Sequence, residues 1–233
     1  MTSSTHRHDT RGDRDLKSTR MESGVRSAGG NPDNPAHPPS AAAIEGCRRC
    51  DLWRRATHGV PGEGPERGAL MLVGEQPGDA EDRVGRPFVG PAGAVLNELL
   101  SEAGINRAGV YVTNAVKHFK WEPRGKRRLH RRPSVGEIRA CHDWLTQEIA
   151  AVLPRVIVAL GATAARSLLQ RVQIIDSLRQ EVSRHSSGAW IYVTYHPSAL
   201  LRAQADSTRL RGIVLSDLRR AVLQFERLAQ EGT

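Results

Sequence analysis

The chain has 233 residues and a mass of 25.5 kDa, a length suited to one domain with a sizeable core. Lys and Arg number 34 against 25 Asp and Glu, so the formal net charge is +9, which favours a polyanionic partner. The sequence has no run of 18 apolar residues and no apolar signal core, which excludes a membrane span and leads us to expect an intracellular, cytoplasmic protein.

The first forty residues differ in composition from the rest of the chain. They are rich in Ser, Thr, Arg, Asp, Gly and Pro and have no periodic apolar pattern. Such a segment buries too little apolar surface to fold, so we predict a disordered tail over residues 1–40 and one folded domain over 41–233. The tail holds six Lys or Arg against five Asp or Glu, so the basic excess belongs to the folded part.

The three cysteines are unevenly placed. Cys47 and Cys50 form a C-x-x-C pair, and Cys141 stands alone. The odd count argues against a disulfide framework, and a C-x-x-C directly after a disordered segment favours metal ligation over redox chemistry. Because three thiolates are one ligand short of a four-ligand site, either a histidine completes the site or the site is absent.

From residue 69 onward, predicted strands alternate with predicted helices. In chain order we predict a strand at 69–73, a helix at 91–103, a strand at 110–113, a helix capped by Ser134 and Glu137 that ends near 153, a strand at 155–160, a helix at 162–169, a strand at 190–194 and a helix at 206–228. This alternation predicts a parallel α/β sheet, whose ligands bind at the carboxyl ends of the strands.

Polar residues follow three of these strands. Glu75 and Gln76 come after the first strand, Asn114 ends the second, and His196 follows the fourth. Each has an ordinary explanation alone, as a turn residue, a cap or a loop histidine. Together they predict one crevice at the strand ends.

The stretch 117–132, KHFKWEPRGKRRLHRR, holds eight Lys or Arg residues against one Glu, a net charge of +7. This density, with Gly and Pro inside it, predicts a loop that contacts phosphates and loses affinity as salt rises. A solvated charged loop is the alternative. Two histidines, His118 and His130, lie in the stretch and could carry chemistry.

Four segments resemble the uracil-DNA glycosylase superfamily: GEQPGDAEDRVGRPFVGPAG at 74–93, YVTNAVKHFK at 111–120, KRRLH at 126–130 and HPSALLR at 196–202. The resemblance spans about 44–228 and is greatest to the UdgX branch, relatives of the iron–sulfur family 4 enzymes. That branch has GEQPG where family 4 has GEAPG, and it has a KRR-x-H loop, here with Leu129 at the variable position. The resemblance implies a three-layer α/β/α fold with a central, mainly parallel, four-stranded sheet.

The resemblance also implies how the base would be bound. Uracil would stack on Phe88, which could otherwise be a core aromatic, and the Asn114 amide would pair with O4 and N3–H of uracil. Gly74, Gly78 and Asp79 would complete the pocket.

By the same resemblance, His196 would stabilise the leaving uracil anion, and Glu75 would stabilise the cationic sugar and orient the nucleophile. Gln76 would hold the base or a loop. His130 would attack C1′ and stay bonded to the abasic sugar. We expect the four arginines around His130 to lower its pKa and so favour the neutral, nucleophilic form.

The implied DNA contacts are Lys126, Arg127, Arg128, Ser198 and Arg202, with Leu200 or Leu201 filling the space of the extruded nucleotide. The partner would be uracil-containing DNA, single- or double-stranded, bound by a monomer.

His118 stands where family 4 has its third cysteine, so the implied metal ligands are Cys47, Cys50, His118 and Cys141. A [4Fe–4S] cluster is the implied cofactor, although zinc would accept the same ligands. Two other functions remain open: a turnover glycosylase that releases the abasic site, and a non-catalytic, metal-containing DNA-binding module.

Overall fold

The structure is a computed structural model that describes residues 37–68 and 70–231. The predicted tail therefore lies outside the described residues except for 37–40. A short helix, α1 (Ala41–Glu45), follows, and its first turn is capped by the Ser40 hydroxyl, which accepts a hydrogen bond from the Ala43 N–H.

A five-stranded sheet forms the centre of the domain. In chain order the strands within the described residues are β1 (Leu70–Gly74), β2 (Val110–Asn114), β3 (Trp121–Arg124), β4 (Arg127–His130), β5 (Val156–Leu160), β6 (Ser183–Arg184) and β7 (Trp190–Thr194). The sheet has the order β2-β1-β5-β7-β6, with the first four strands parallel and β6 antiparallel at the edge. The mainly parallel sheet and its four long strands are confirmed, and the count differs only because β6, with two residues, is too short to leave a sequence pattern.

Helices cover both faces of this sheet, as predicted. The remaining α-helices of the described residues are α2 (Asp79–Val84), α3 (Pro91–Glu102), α4 (Val135–Val152), α5 (Ala162–Leu169), α6 (Ile175–Gln180), α7 (Ser198–Arg202) and α8 (Ser207–Glu231). Successive strand residues point to opposite faces. Leu70 and Leu72 pack with α3, α7 and α8, whereas Met71 and Val73 pack with α4, α5 and α6.

The predicted caps and ends of the long helices are close to those observed. Ser134 and Glu137 form the expected capping box at the start of α4. None of the described helices is both long and apolar enough to cross a membrane.

The sequence suggested an irregular loop for the basic stretch, but the structure shows ordered elements there. β3 and β4 form an antiparallel hairpin with a two-residue turn at Gly125-Lys126, in which Trp121 lies opposite His130. Gly125 has a φ of +58°, a backbone conformation that glycine adopts without strain. The hairpin therefore holds His130 at a defined position at the end of β4.

The beginning of the same stretch lies in the core. The Lys117 side chain is fully buried, and its Nζ donates to Glu148 Oε2 at 2.7 Å, Thr113 Oγ1 at 2.6 Å and the Asn114 carbonyl at 2.9 Å. Glu148 is also fully buried and accepts from the Gly62 N–H at 2.9 Å. Lys117 therefore does not contact phosphate, because its charge is used in a buried ion pair beneath the end of β2.

Candidate active site

The ends of β1 and β2 meet at a close contact that only glycine permits. Gly74 lies opposite Asn114 in the sheet. A Cβ atom on Gly74 would lie 2.4 Å from Asn114 Oδ1 and 2.7 Å from Phe88 Cζ. Gly74 thus lets the amide and the aromatic ring approach each other, and the predicted trio of pocket residues is brought together.

Phe88 is held in a strained backbone conformation. It is a buried residue with a φ of +55°, which is uncommon for a side chain of this size. A Cβ atom on Gly93 would come within 1.9 Å of the Phe88 carbonyl oxygen, so α3 approaches this turn through a glycine. Such strain persists where the surrounding structure fixes the backbone, and it is typical of functional sites.

Glu81 connects the two loops on either side of Phe88. Its carboxylate accepts from the Gly78 N–H at 3.1 Å and from the Gly90 N–H at 2.8 Å. Gly78, predicted to contact the base, is also the N-cap residue of α2. The Gly78 amide is therefore used to fix the loop.

His196 faces the Phe88 ring, with ring centroids 6.2 Å apart and planes 26° apart. Its Nδ1 accepts from the Ser198 backbone N–H at 3.1 Å and lies 2.8 Å from Ser198 Oγ. Because Nδ1 is an acceptor, the proton of the neutral ring is on Nε2. Burial lowers the pKa of His196 to about 4, so the ring is a neutral donor near pH 7.

Glu75 lies between three polar side chains. Its Oε2 accepts a hydrogen bond from Thr163 Oγ1 and lies 3.6 Å from Arg132 Nε, while its Oε1 lies 3.4 Å from His130 Nε2. The carboxylate is 20 % exposed, which leaves it access to a bound ligand. The predicted pair of Glu75 and His130 is thus brought together, and Thr163 is an additional member that the sequence reasoning missed.

Gln76 is turned away from this pocket. Its Nε2 donates to the Lys120 carbonyl at 3.2 Å and the Arg131 carbonyl at 3.0 Å, and its Oε1 accepts from the Lys120 N–H at 3.1 Å. Lys120 and Arg131 flank the hairpin and are also joined directly by a backbone hydrogen bond. Of the two predicted roles, holding the base or holding a loop, the geometry gives Gln76 the second.

His130 lies at the end of the hairpin with half of its side chain exposed, 6.0 Å from the Phe119 ring. Burial is the largest cause that lowers its pKa; Arg202 lowers it further, and Glu75 opposes the shift. The lowered pKa was expected, but its cause differs, because burial and Arg202 produce it rather than the four arginines adjacent in sequence.

Arg128 forms ion pairs with two carboxylates. Its guanidinium pairs with Asp79 and Asp82, and its side chain is only 13 % exposed. Asp79, predicted in the base pocket, is thus placed where it links α2 to the hairpin. Among the described residues, three exposed hairpin side chains have no carboxylate partner: Arg124, Lys126 and Arg127.

The last predicted DNA contacts lie around α7. Ser198 Oγ accepts from Arg202 Nη1 at 3.1 Å, so both residues support His196. Leu200 is buried in the core, whereas Leu201 is 53 % exposed. Leu201 is thus the leucine whose position fits insertion into DNA.

Of the candidate metal ligands, Cys47, Cys141 and His118 are buried, and Cys50 is partly exposed. A hydrogen bond with the Cys141 thiol lowers the pKa of Cys50 to about 7, and Trp144 Nε1 donates to Cys47 Sγ at 3.2 Å. His118 is 3 % exposed and follows Lys117, whose backbone N–H hydrogen-bonds to Cys141. Within residues 37–68 and 70–231, no three His, Cys, Asp or Glu side chains are grouped as metal ligands. The donors nevertheless fit a soft metal or an iron–sulfur cluster in kind and number.

Comparison with known proteins identifies relatives of this chain. The family model described as the uracil DNA glycosylase superfamily matches residues 61–219. The chain is 40 % identical to a Type-4 uracil-DNA glycosylase of Thermotoga maritima over 76 % of this chain and 88 % of the relative. It is 37 % identical to a Type-4 uracil-DNA glycosylase of Pyrobaculum aerophilum over 75 % of this chain and 87 % of the relative. A Type-5 uracil-DNA glycosylase of Pyrobaculum aerophilum is 30 % identical over 68 % of this chain and 74 % of the relative.

Proposed function

The chain belongs to the uracil-DNA glycosylase superfamily, and we propose that it excises uracil from DNA and then stays bonded through His130 to the abasic sugar. One observation supports both halves of this proposal. Glu75 Oε1 lies 3.4 Å from His130 Nε2, and Phe88, Asn114 and His196 lie close by at the same edge of the sheet.

The pocket suits an extruded uracil. Uracil would stack on the fixed Phe88 ring, and the Asn114 side chain makes no hydrogen bond to another described residue. Its amide can accept from uracil N3–H and donate to O4. Cytosine presents a donor at that position, so the same amide would discriminate against it.

Cleavage would proceed by departure of the uracil anion. As the bond from C1′ to N1 breaks, its electron pair leaves with uracil, and His196 Nε2–H would donate to O2. The hydrogen bonds from Ser198 to Nδ1 hold this donor in place. Glu75, as a carboxylate near C1′, would stabilise the positive charge that develops on the sugar.

His130 would then form the new bond. The lone pair on Nε2 attacks C1′, and the alkylated ring releases its Nδ1 proton to solvent, while the uracil anion gains a proton from water. The lowered pKa of His130 favours the neutral ring that this step needs. Gln76 supports the step at a distance, because it holds both ends of the hairpin that carries His130.

A turnover glycosylase is the second candidate. The identity of 37–40 % to the two Type-4 relatives favours it, because their name denotes a uracil-DNA glycosylase and nothing in it implies a covalent product. In that mechanism Glu75 would orient a water molecule on C1′, and the hairpin would only bind DNA.

A denaturing gel separates these functions. The protein is incubated with a labelled single-stranded oligonucleotide that contains one uracil, and with a duplex of the same sequence. We expect a band that resists heat and SDS and migrates as protein plus DNA. Alkali-labile sites without that band would indicate turnover, and neither product would indicate a binding module.

The matched variant is His130→Gly. It should abolish the stable band, because no nucleophile remains on the hairpin, while uracil release continues with water as the nucleophile. A stable band in this variant would overturn the assignment of His130.

We further propose that Cys47, Cys50, His118 and Cys141 hold a [4Fe–4S] cluster. The cluster would tie the segment before β1 to α4 and to the start of the basic stretch, and histidine at one iron would raise its reduction potential. Elemental analysis of freshly purified protein should find about four iron atoms per chain. The protein should also be brown. A colourless protein with one zinc per chain would contradict the cluster and indicate a zinc site.

A further inference from the structure

Thr163 occupies a position to which neither the sequence motifs nor the mechanism above gives a role. It is the second residue of α5, only 4 % exposed, and its hydroxyl donates to Glu75 Oε2. The same carboxylate uses its other oxygen, Oε1, toward His130 Nε2. The Thr163 contact thus fixes one oxygen of the carboxylate and leaves the other directed at the nucleophile.

The turn that carries Thr163 is itself firmly held. Gly161 has a φ of +91°, and its N–H donates to the Thr194 carbonyl at the end of β7 at 2.8 Å. A Cβ atom on Gly161 would lie 3.1 Å from His196 Cβ. One turn between β5 and α5 therefore contacts both residues that would act on the departing base and the sugar.

A hydroxyl that donates to one oxygen of a carboxylate also restrains the rotation of that carboxylate. Without the Thr163 hydroxyl, the polar contacts described for the Glu75 carboxylate are those to His130 at 3.4 Å and to Arg132 at 3.6 Å, whose side chains are half-exposed and exposed. The carboxylate would then populate rotamers in which Oε1 is displaced from C1′. Displacement of a catalytic group by about 1 Å lowers rates by up to ~100-fold.

We propose that Thr163 is a positioning residue that orients the Glu75 carboxylate for bond cleavage. The inference rests on the proposed function, since it concerns the step in which uracil leaves. It predicts that loss of the hydroxyl slows cleavage without weakening DNA binding.

The test compares Thr163→Val, which keeps the shape, with Thr163→Ser, which keeps the hydroxyl. Uracil release from a single-stranded oligonucleotide is measured under single-turnover conditions, and DNA affinity is measured by fluorescence anisotropy. We expect Thr163→Val to lower the maximal rate by about 10- to 100-fold, the range for a lost hydrogen bond to a charged group, with affinity unchanged. Thr163→Ser should restore the rate to within about threefold of wild type.

A double-mutant cycle with Glu75→Gln separates positioning from a general structural role. If Thr163 acts through Glu75, Thr163→Val adds little to the loss caused by Glu75→Gln alone. Equal fold losses in both backgrounds would contradict the inference, as would a wild-type rate in Thr163→Val. Thermal melting of each variant identifies any loss that comes from unfolding.

The outcomes also distinguish this inference from the proposed function. A wild-type protein that releases no uracil overturns the function itself. An active wild type with an equally active Thr163→Val overturns only the role of Thr163.

Discussion

The two parts of the basic stretch 117–132 have opposite environments. Lys117, His118 and Phe119 are almost completely buried, whereas Arg124 and Arg127 on the hairpin are exposed and have no carboxylate partner among the described residues. A continuous run of charge in the sequence thus divides into a buried part at 117–119, beneath the candidate site, and an exposed hairpin at 121–130 beside it. Charge counted along a chain therefore overestimates the charge that faces DNA.

Ion pairs within the domain further reduce the number of unpaired cations in the stretch. Four further cations of the stretch are paired within the domain: Lys120 with Glu137, Arg128 with Asp79 and Asp82, Arg131 with Glu122, and Arg132 with Glu75. The pairs of Arg128 and Lys120 fix the hairpin against α2 and α4, respectively. The hairpin is thus a positioned element as well as a charged one.

The largest expected effect comes from the buried part. Lys117→Met should lower the free energy of unfolding by about 3–5 kcal/mol, because Glu148 is left as an uncompensated buried charge. Urea unfolding followed by circular dichroism measures this loss. The salt dependence of DNA binding by the folded fraction should not change, since Lys117 does not reach solvent.

The matched control removes both charges at once. Lys117→Met combined with Glu148→Gln keeps an amide oxygen for the Gly62 N–H and should recover a large part of the loss. If Lys117→Met alone and Glu148→Gln alone had the same urea midpoint of unfolding as wild type, the ion pair would have no structural importance.

Gln76 joins the two parts, because it lies after β1 and holds the ends of the hairpin. Gln76→Ala removes three hydrogen bonds to Lys120 and Arg131 and should slow formation of the covalent band by about tenfold or more. Uracil release should change by less than about threefold, because the pocket residues keep their own contacts. Both rates are measured in the same single-turnover reaction.

Gln76→Glu sharpens this prediction. It keeps the size of the side chain but cannot donate to the two carbonyl groups, so it should behave as Gln76→Ala or worse. If base release and the covalent band fall by the same factor in both variants, the hairpin and the pocket are one cooperative unit, and the division between them is wrong.

The pH dependence of the covalent step tests the environment of His130. The folded-state pKa of His130 lies below the ordinary value for histidine, about 6.5, because burial disfavours the charged ring. The neutral form is therefore retained above that lowered pKa and lost as pH falls through it. The rate of band formation should be level from pH 8 down to about 6.5 and decline only at lower pH.

Base release by His130→Gly supplies the reference profile for that experiment, since it lacks the nucleophile. A decline of band formation centred above pH 6.5 in the wild type would mean that the ring is protonated more readily than its burial implies.

Several site residues could be predicted from sequence because they obey a rule of topology. Glu75, Asn114 and His196 follow apolar strands, and parallel strand ends meet at one edge of a sheet. Thr163 obeys the same rule, since it comes shortly after β5, which lies between β1 and β7. It was missed because a threonine two residues into a helix resembles any helix-start residue, and only the strand order brings it beside Glu75.

Other features depend on tertiary contacts that no local pattern shows. The hairpin strands are four residues long and highly charged, so they lack the alternation of apolar and polar residues that marks a strand. The partners of Arg128 come from α2, nearly fifty residues earlier in the chain. The fold was therefore more predictable than the division of charge within it.

The smallest expected effect comes from the exposed hairpin. Arg127→Ala removes a cation that has no carboxylate partner in the described part of the chain, so it should leave the free energy of unfolding within about 0.5 kcal/mol of wild type. It should weaken single-stranded DNA binding several-fold at low salt and lower the slope of log affinity against log salt by about 0.7, the value for one lost phosphate contact. Anisotropy titrations at several salt concentrations measure both quantities.

Arg128→Ala is the adjacent control with the opposite expectation. Asp82 is fully buried and would lose its charged partner, so this variant should be destabilised by about 1–3 kcal/mol. The salt slope of its folded fraction should stay close to wild type, because Arg128 is already neutralised by two carboxylates. If Arg128→Ala lowered the slope as much as Arg127→Ala, both arginines would contact phosphate, and the ion pairs with Asp79 and Asp82 would have to open when DNA binds.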